Sequence, residues 1–311
     1  MHPTFGHVFG EAITAYFVLL MVGFAAATWL LVRWAKANGF DHDVIIDLGL
    51  IALLAGVAGG RILHVIADGY FWDYVHLCTE PARVVWPTIE RRAECVDLGG
   101  AWDGRAGLCH AVERDCFAWA KFWSGGLAYY GGLVAATGSG LWFLRREGFP
   151  VLRTADAAAT VIPVGILFGR IGCFLGGCCF GIVTRGPFGV SFPSFSAASE
   201  KQFRDGVLAS KSLPSLPVHP TQLYEAAGCL VIALALRLWL LPRKRFDGQV
   251  LLLFLSLYAV LRFAIEYLRD DDRGAMLGLS TSQLVGVAIL GAVAFLWPRL
   301  ERAARASDLV P

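Results

Sequence analysis

Two arginines that interrupt apolar stretches are the residues of this sequence with the clearest capacity for chemistry. Arg170 lies in the run GRIGCFLGGCCFG at residues 169–181, which ends an apolar stretch that starts near Ala157. The run has two G-x-x-x-G spacings, Gly172 with Gly176 and Gly177 with Gly181, which predict that other backbones approach it closely. Arg262 lies in a second apolar stretch. An arginine inside hydrocarbon costs about 2.5–3.5 kcal/mol on insertion scales, so it normally faces a polar cavity, a partner or a ligand. The pattern predicts a site, and a structurally paired arginine in a tightly packed helix is the alternative.

The residues around Arg262 form one helical face. Tyr258, Arg262, Glu266 and Arg269 follow one another at i, i+4, i+8 and i+11, and this spacing keeps side chains on one side of a helix. Two guanidinium groups at headgroup depth suit an anion with forked oxygens, most simply a lipid phosphate. The sequence therefore predicts that Arg170 and Arg262 bind a phosphate, with unrelated ion pairs as the alternative.

The run HPTQLYE at residues 219–225 adds two groups that can accept or orient a proton. Pro220 is typical of a first helical turn, and His219 with Glu225 is predicted to supply a base and its orienting carboxylate. A histidine at the mouth of a helix is also commonly just a satisfied polar residue, and that alternative stays open.

These residues need a membrane-embedded scaffold, and the composition of the chain indicates one. A hydrophobic content of 56% with 17% charged residues, and a mean hydropathy of +0.58, are typical of a polytopic helical membrane protein. The net charge of +2 argues against nucleic acid as a partner. We predict an all-α integral membrane protein, a single polytopic domain over residues 1–311, with seven transmembrane helices at 11–32, 44–67, 122–144, 156–181, 220–241, 248–268 and 280–298.

Basic residues predict how these spans are oriented. Lysines and arginines follow spans one, three, five and seven, for example Arg33 and Lys36 after the first. This asymmetry places the N-terminus outside and the C-terminus inside. Two long segments then lie outside, at residues 69–121 and 182–219. The first holds Cys78, Cys95, Cys109 and Cys116 and is predicted to be a cap stapled by two disulfides, with three possible connectivities. The second is predicted to be a partly ordered arm over the outer membrane face.

These residues resemble the phosphatidylglycerol–prolipoprotein diacylglyceryl transferases of bacterial inner membranes. The resemblance covers nearly all the spans and rests on the runs at 169–181 and 219–225 and on the face of Tyr258, Arg262 and Glu266. Tyr16, the segment from Gly125-Gly126 to Gly131-Gly132-Leu133 and the run STSQ at 280–283 also match. It implies seven spans in a bacterial inner membrane, with a periplasmic N-terminus and a cytoplasmic C-terminus.

The resemblance also implies a reaction. A diacylglyceryl group moves from phosphatidylglycerol to the lipobox cysteine thiol of a prolipoprotein, giving a thioether and glycerol phosphate. We expect no cofactor and no metal ion, and the expected partners are phosphatidylglycerol, the prolipoprotein lipobox and membrane lipids. The predicted catalytic residues are Arg170, Arg262, Tyr130, His219 and Glu225, and the predicted substrate-binding residues are Tyr16, Arg61, Cys173, Gly181, Tyr258, Glu266 and Arg269.

The sequence departs from that family in several places. The best-known members have a histidine where this chain has Tyr130, and commonly an asparagine at Cys173 and Asn-Gly-Glu at residues 176–178. The cysteine-rich segment is an addition. A lipid-binding or partner-recognition paralogue with altered or lost transferase activity is therefore the alternative, and a small-molecule transporter is the third.

Three cysteines in the run at 169–181 need their own interpretation. We interpret Cys173, Cys178 and Cys179 as small buried side chains that fill the places of polar ones. A redox pair and a metal site are the alternatives. Tetrahedral zinc would need further ligands that the neighbouring sequence does not supply.

Overall fold

The computed structural model describes residues 4–8, 11–67, 69–86, 92–97, 99–121, 126–270, 275–276 and 278–307. Gly125 and the first residues of the predicted third span, 122–125, lie outside that part. Helices dominate the described residues, and three short antiparallel hairpins accompany them. The helices are α1 Ala15–Ala37, α2 His42–Ala67, α3 Phe71–Thr79, α4 Arg92–Asp97, α5 Tyr129–Arg146, α6 Val151–Gly176, α7 Ala197–Arg204, α8 Thr221–Leu234, α9 Gln249–Glu266 and α10 Thr281–Ser307. The strand pairs are β1 Thr4–Val8 with β2 Glu11–Thr14, β3 Ala101–Asp103 with β4 Leu108–His110, and β5 Ala275–Met276 with β6 Leu279–Ser280.

Six helices of the described residues are long and apolar enough to cross a membrane. They are α1, α2, α6, α9, α10 and α8 with its continuation to Arg243, and they correspond to six of the seven predicted spans. The chain is therefore a multi-pass α-helical membrane protein, as predicted. Helix α5 occupies the place of the predicted third span, but it is not among the six. Its sequence YYGGLVAATGSGLWFLRR has four glycines and ends on two arginines, which lowers its hydropathy.

The chain forms two compact units, Met1–Ile45 with Pro150–Pro311, and Ile46–Phe149. In the first unit, small residues let α1 and α6 approach closely. A Cβ atom on Gly23 would lie 2.7 Å from the Cβ atom of Phe168 and 3.1 Å from the carbonyl oxygen of Gly165. Membrane helices associate through this kind of close van der Waals packing, because lipid tails are as apolar as the side chains and no hydrophobic effect drives the helices together. A core of Ala159, Ile232, Leu236, Val250 and Phe254 joins α6 to α8 and α9.

A buried aspartate fastens the start of α9 to α6 in the first unit. Asp156 is fully buried, and its carboxylate accepts hydrogen bonds from Lys244 Nζ at 2.9 Å and from the backbone nitrogens of Gly248 at 2.9 Å and Leu251 at 3.0 Å. A carboxylate is stabilised at the N-terminus of a helix by the unpaired N–H groups and the helix dipole. This contact was not predicted, although the acidic Asp156 at the start of the predicted span 156–181 was the signal for it.

In the second unit, Arg61 of α2 is held by backbone carbonyl groups. Its Nε and Nη2 atoms donate to the oxygens of Trp119 and Ala118, both at 2.7 Å, and Nη1 donates to Gly126 at 3.1 Å. The guanidinium also lies 5.2 Å from the ring centre of Tyr74. These contacts join α2 to the segment before α5, so Arg61 has structural partners in this unit.

The four cysteines of the predicted cap form two disulfides, as the sequence analysis expected. The bonds are Cys78–Cys116 and Cys95–Cys109, which is one of the three possible connectivities. The second bond links α4 to β4 and is packed against Trp86 and Trp102.

We expect peptide mapping under non-reducing conditions to recover these two pairs from protein taken from the membrane. A sulfur–sulfur bond needs an oxidising compartment, so alkylation of the folded protein should leave all four cysteines unlabelled until a reductant is added. Free labelling of the four thiols in folded, unreduced protein would contradict both the disulfides and the predicted outside position of the cap.

Candidate active site

The conspicuous run at residues 169–181 is only partly helical. Helix α6 ends at Gly176, and Gly177 follows with a φ of 73°. Glycine is the usual residue for such a left-handed helix end, because it has no Cβ atom to clash. The predicted span at 156–181 therefore extends five residues too far, and Cys178, Cys179 and Gly181 lie in the turn beyond the helix.

The two G-x-x-x-G pairs of this run, Gly172 with Gly176 and Gly177 with Gly181, have different surroundings in the structure. A Cβ atom on Gly172 would lie 2.9 Å from the Cα atom of Tyr16, so the predicted close approach of another helix occurs at this glycine. Gly176 has nothing within 4 Å of such an atom. Gly177 and Gly181 do not lie on a helix, so the helical part of that prediction was wrong, but another backbone does approach Gly181 closely.

A buried carboxylate links Arg170 of α6 to Tyr258 of α9. The side chain of Glu225 on α8 is fully buried, and its Oε2 atom lies 3.0 Å from Arg170 Nε. Its Oε1 atom accepts a hydrogen bond from the Tyr258 hydroxyl group at 3.0 Å. The Arg170 side chain remains 18% exposed, and among the described residues its two terminal nitrogens make no hydrogen bond. The carboxylate thus fixes the guanidinium through Nε and leaves its forked end available as a donor.

A second ion pair lies one turn further along α9. Arg262 Nη2 is 2.7 Å from Glu266 Oε2 and 3.3 Å from Ser282 Oγ at the start of α10. Tyr258, Arg262 and Glu266 therefore share a face of α9, as predicted. The helix ends at Glu266, so Arg269, the fourth member of the predicted face, lies beyond it and that part of the prediction was wrong. Helix α10 begins with a reciprocal cap, in which Gln283 N donates to Ser280 Oγ at 3.3 Å and Ser280 N donates to Gln283 Oε1 at 3.0 Å. This cap explains the STSQ run, because it fixes the helix start that carries Ser282.

His219 does not contact the carboxylate with which it was paired in the sequence analysis. Its Nδ1 atom lies 3.2 Å from the Tyr224 hydroxyl oxygen, whereas Glu225 contacts Arg170 and Tyr258. The two side chains have different partners among the described residues, so their predicted pairing was wrong. The reason is helical geometry, since Glu225 lies on the buried side of α8 and His219 precedes the helix.

Gly181 is a point where two backbones cross. Its nitrogen donates to the carbonyl oxygen of His219 at 2.9 Å, and the next nitrogen, of Ile182, donates to that of Leu268 at 2.8 Å. A Cβ atom on Gly181 would lie 2.4 Å from the Leu268 oxygen and 2.9 Å from the His219 Cβ atom. Only glycine fits here, and this crossing holds Arg269, 9% exposed, beside the turn after α6.

We expect Gly181→Ala to lower the stability of the first unit by about 1–3 kcal/mol, the usual cost of forcing an extra methyl group into a packed site. Thermal unfolding in detergent measures this loss. Gly176→Ala is the matched control, because a Cβ atom there meets nothing within 4 Å. Equal unfolding temperatures for the two variants would contradict the crossing.

Three thiols gather next to this crossing. The sulfur atoms of Cys173, Cys178 and Cys179 all lie within 4.8 Å of one another. Hydrogen bonds from Cys173 and Cys178, followed by the charge and hydrogen bond of Arg269, hold the pKa of the Cys179 thiol below its usual range. Its hydrogen bonds with Cys173 and Cys179 raise the pKa of Cys178. The cluster therefore favours one thiolate, at Cys179.

The other predicted site residues fall in both units. Tyr16 lies at the start of α1, 43% exposed, against Gly172 in the first unit. Tyr130 lies on α5 of the second unit, 42% exposed, with its ring 5.6 Å from that of Tyr129. In the first unit, the polar groups of α6, α8, α9 and α10 all gather at one end of these helices, opposite Asp156. That end is the candidate active site.

Comparison with known proteins gives a consistent result. A family model described as prolipoprotein diacylglyceryl transferase matches residues 3–87 and 99–298. A phosphatidylglycerol–prolipoprotein diacylglyceryl transferase of Clostridium tetani is 27% identical over 287 residues, which cover 92% of this chain and 93% of the relative. The enzyme of the same description from Nitratidesulfovibrio vulgaris is 30% identical over 261 residues, covering 83% and 77%. One from Vibrio cholerae is 27% identical over 295 residues, covering 92% and 87%.

Proposed function

Because this chain belongs to the prolipoprotein diacylglyceryl transferase family, we propose that it transfers the diacylglyceryl group of phosphatidylglycerol to the cysteine thiol of a prolipoprotein. The observation that carries the proposal is the Arg170–Glu225–Tyr258 chain. It presents an oriented, partly exposed guanidinium fork at one end of a bundle of apolar helices. A fork of this kind suits two oxygens of a phosphodiester.

The reaction forms one bond and breaks one bond. The acceptor thiol loses its proton, its sulfur bonds to the terminal glycerol carbon of the diacylglyceryl group, and the bond from that carbon to the phosphate oxygen breaks. Glycerol phosphate leaves with the bonding electrons. Negative charge therefore grows on the phosphate in the transition state, and donors that are already aimed at it lower the barrier.

We assign the arginines to that phosphate. Arg170 donates from its terminal nitrogens, and Arg262, oriented by Glu266 and Ser282, supplies the second cation. Arg269 adds positive charge at the same end of the unit.

Glu225, whose two oxygens face Arg170 and Tyr258, acts as a positioning residue. Tyr16 and Tyr130 donate to the donor lipid, whereas Tyr258, predicted to do the same, donates its hydroxyl proton to Glu225 in a hydrogen bond. His219 is the proposed acceptor of the thiol proton. Cys173 and Gly181 shape the turn beside the lipid headgroup, and Arg61 positions the cap.

The same proposal covers the membrane arrangement. Helix α5 is the third of seven spans, the N-terminus is periplasmic and the C-terminus cytoplasmic, in a bacterial inner membrane. Residues 69–121 form an extracytoplasmic insert, and residues 182–219 form an extracytoplasmic arm. The disulfides of the insert and the basic residues after the odd-numbered spans support this orientation. The lipobox of the prolipoprotein then approaches from the outer side.

Incubation of the purified protein with phosphatidylglycerol and a lipobox peptide tests the function. We expect mass spectrometry to find a peptide heavier by one diacylglyceryl group and an equal amount of glycerol phosphate. A peptide with serine in place of the cysteine is the control and should remain unmodified. Lipid binding without any thioether would instead favour the lipid-binding alternative.

Substitutions of Tyr130 test whether this residue donates a hydrogen bond or accepts a proton. The neutral phenol of tyrosine donates a hydrogen bond through its O–H group and is a poor base. Tyr130→Phe should reduce turnover by about 10- to 100-fold, the loss for a hydrogen bond of about 1.5–3 kcal/mol to a charged group, while Tyr130→His should keep or raise it. Tyr129→Phe is the neighbouring control. An unchanged Tyr130→Phe enzyme would contradict this role.

A further inference from the structure

The thiol groups of Cys173, Cys178 and Cys179 take no part in the bonds formed and broken in the proposed transfer, and together they can serve as a set of metal ligands. Cys173 is buried in the last turn of α6, and the other two follow the left-handed Gly177. Their three sulfur atoms lie within 4.8 Å of one another. A metal bound to three sulfurs in a plane at about 2.3 Å holds those sulfurs roughly 4 Å apart. The three side chains therefore already surround a space of the right size.

The turn that carries two of these thiols is fixed by the start of α8. Gln222 Nε2 donates to the carbonyl oxygen of Cys178 at 2.6 Å, and Thr221 Oγ1 donates to that of Cys179 at 2.8 Å. Both donors are fully buried. Cys179 itself has a φ of 62°, a conformation that costs a residue with a side chain about 1–2 kcal/mol. The surrounding contacts hold the turn in this conformation, and it directs the third sulfur toward the other two.

The electrostatic surroundings favour bound thiolates. The Arg269 side chain donates a hydrogen bond to Cys179, and Arg170 interacts electrostatically with Cys173 and Cys179. Three thiolates around a monovalent cation carry two negative charges. Arg269 offsets one of them, and Arg170, whose charge is shared with Glu225, offsets part of the other. Cys178 and Cys179 are half-buried, so a small ion can reach them from the outer end of the helices.

We propose that Cys173, Cys178 and Cys179 form a three-thiolate site for a soft monovalent metal ion, Cu⁺. Thiolate ligands select Cu⁺, zinc and iron–sulfur clusters. Among the described residues, no fourth histidine, cysteine or acidic side chain lies in the cluster, which disfavours tetrahedral zinc. Three-coordinate Cu⁺ needs no fourth ligand. Binding forms three copper–sulfur bonds, releases the remaining thiol protons to solvent and changes no oxidation state.

Anaerobic titration of the full-length protein in detergent with Cu⁺, against a copper-specific chelator, tests this site. We expect the wild type to bind one copper more per chain than a variant in which all three cysteines are serine. X-ray absorption should show three sulfur neighbours. Cys173→Ala, Cys178→Ala and Cys179→Ala should each weaken binding by more than about 100-fold, since even outer contacts of a metal site are worth about 10- to 100-fold.

Cys229→Ala is the matched control, because Cys229 is the remaining free cysteine of the described residues and is buried in α8. It should bind copper like the wild type. Arg269→Gln should keep the stoichiometry and weaken binding by about 10- to 100-fold. Equal copper content in the wild type and the triple variant would overturn the proposal. So would tighter retention of Zn²⁺ than of Cu⁺ relative to that variant. The readout is the metal itself, so the result is independent of transferase activity.

Discussion

Arg170→Ala is expected to reduce the transfer of diacylglyceryl groups by about 100- to 1,000-fold, the usual loss when one donor to a developing negative charge is removed. The guanidinium is fixed through Nε by Glu225 at 3.0 Å and keeps its forked end for the lipid. Arg262→Ala should cause a loss of similar size, because it removes the second cation of the site. Turnover of phosphatidylglycerol with a lipobox peptide, followed by mass spectrometry, measures both losses.

The alanine variants carry a second effect that must be separated from catalysis. Glu225 is fully buried, and removal of one partner of a buried ion pair typically costs about 3–5 kcal/mol of stability. Arg170→Lys is the variant that distinguishes the two, because an ammonium group still neutralises the carboxylate but has no fork. We expect it to fold like the wild type and to remain well below wild-type turnover.

A surface arginine supplies the remaining control. Arg302 lies exposed near the end of α10, and its Nε atom donates to the carbonyl oxygen of Pro298 at 2.9 Å. Arg302→Ala should leave turnover unchanged. If Arg170→Ala and Arg262→Ala both kept most of their activity, the assignment of these two arginines to the phosphate would be wrong.

The sequence was sufficient to predict the scaffold, because its signals are local. Apolar stretches long enough to cross a membrane stand out against the polar segments, and six of the predicted spans correspond to such helices. The face of Tyr258, Arg262 and Glu266 also followed from spacing alone, since all three lie on one regular helix. The glycine-rich α5 shows the limit, because its composition falls between that of a span and that of a polar helix.

The contacts between elements could not be predicted in the same way. From the sequence, Glu225 is predicted to pair with His219, which lies nearby along the chain. In the structure Glu225 contacts Arg170 and Tyr258 instead. Its partners come from two other helices, and only the packing of α6 and α9 against α8 decides that choice. The ion pair between Asp156 and Lys244 was not predicted, for the same reason.

The prediction for residues 169–181 was wrong for a different reason. The spacing in this run was interpreted as if the helix continued, although consecutive glycines at Gly176 and Gly177 are also a helix stop. Once the chain leaves the helix, Cys178 and Cys179 turn back toward Cys173, and three thiols that looked like separate packing residues become one cluster. Among the described residues the cluster holds three such ligands, and the zinc argument from the sequence concerned a fourth. It did not address an ion that needs three.

Glu225→Gln tests whether that carboxylate positions Arg170 or accepts a proton. Glutamine keeps the size of the side chain and an oxygen for the Tyr258 hydroxyl group, but it removes the charge that orients Arg170. We expect about a 100-fold loss of turnover, within the cost of about 2–5 kcal/mol for breaking a buried charge pair.

The pH dependence of the residual activity distinguishes the two roles of Glu225. Its oxygens lie against Arg170 and Tyr258, and its side chain is fully buried, so we expect the Glu225→Gln enzyme to keep the shape of the wild-type profile. Disappearance of the acidic limb would instead make Glu225 the base. Tyr258→Phe removes only one hydrogen bond of the same chain and should cost less. Because the two residues are in contact, the double variant should lose less than the product of the single losses; independent losses would contradict a chain that orients Arg170 as one unit.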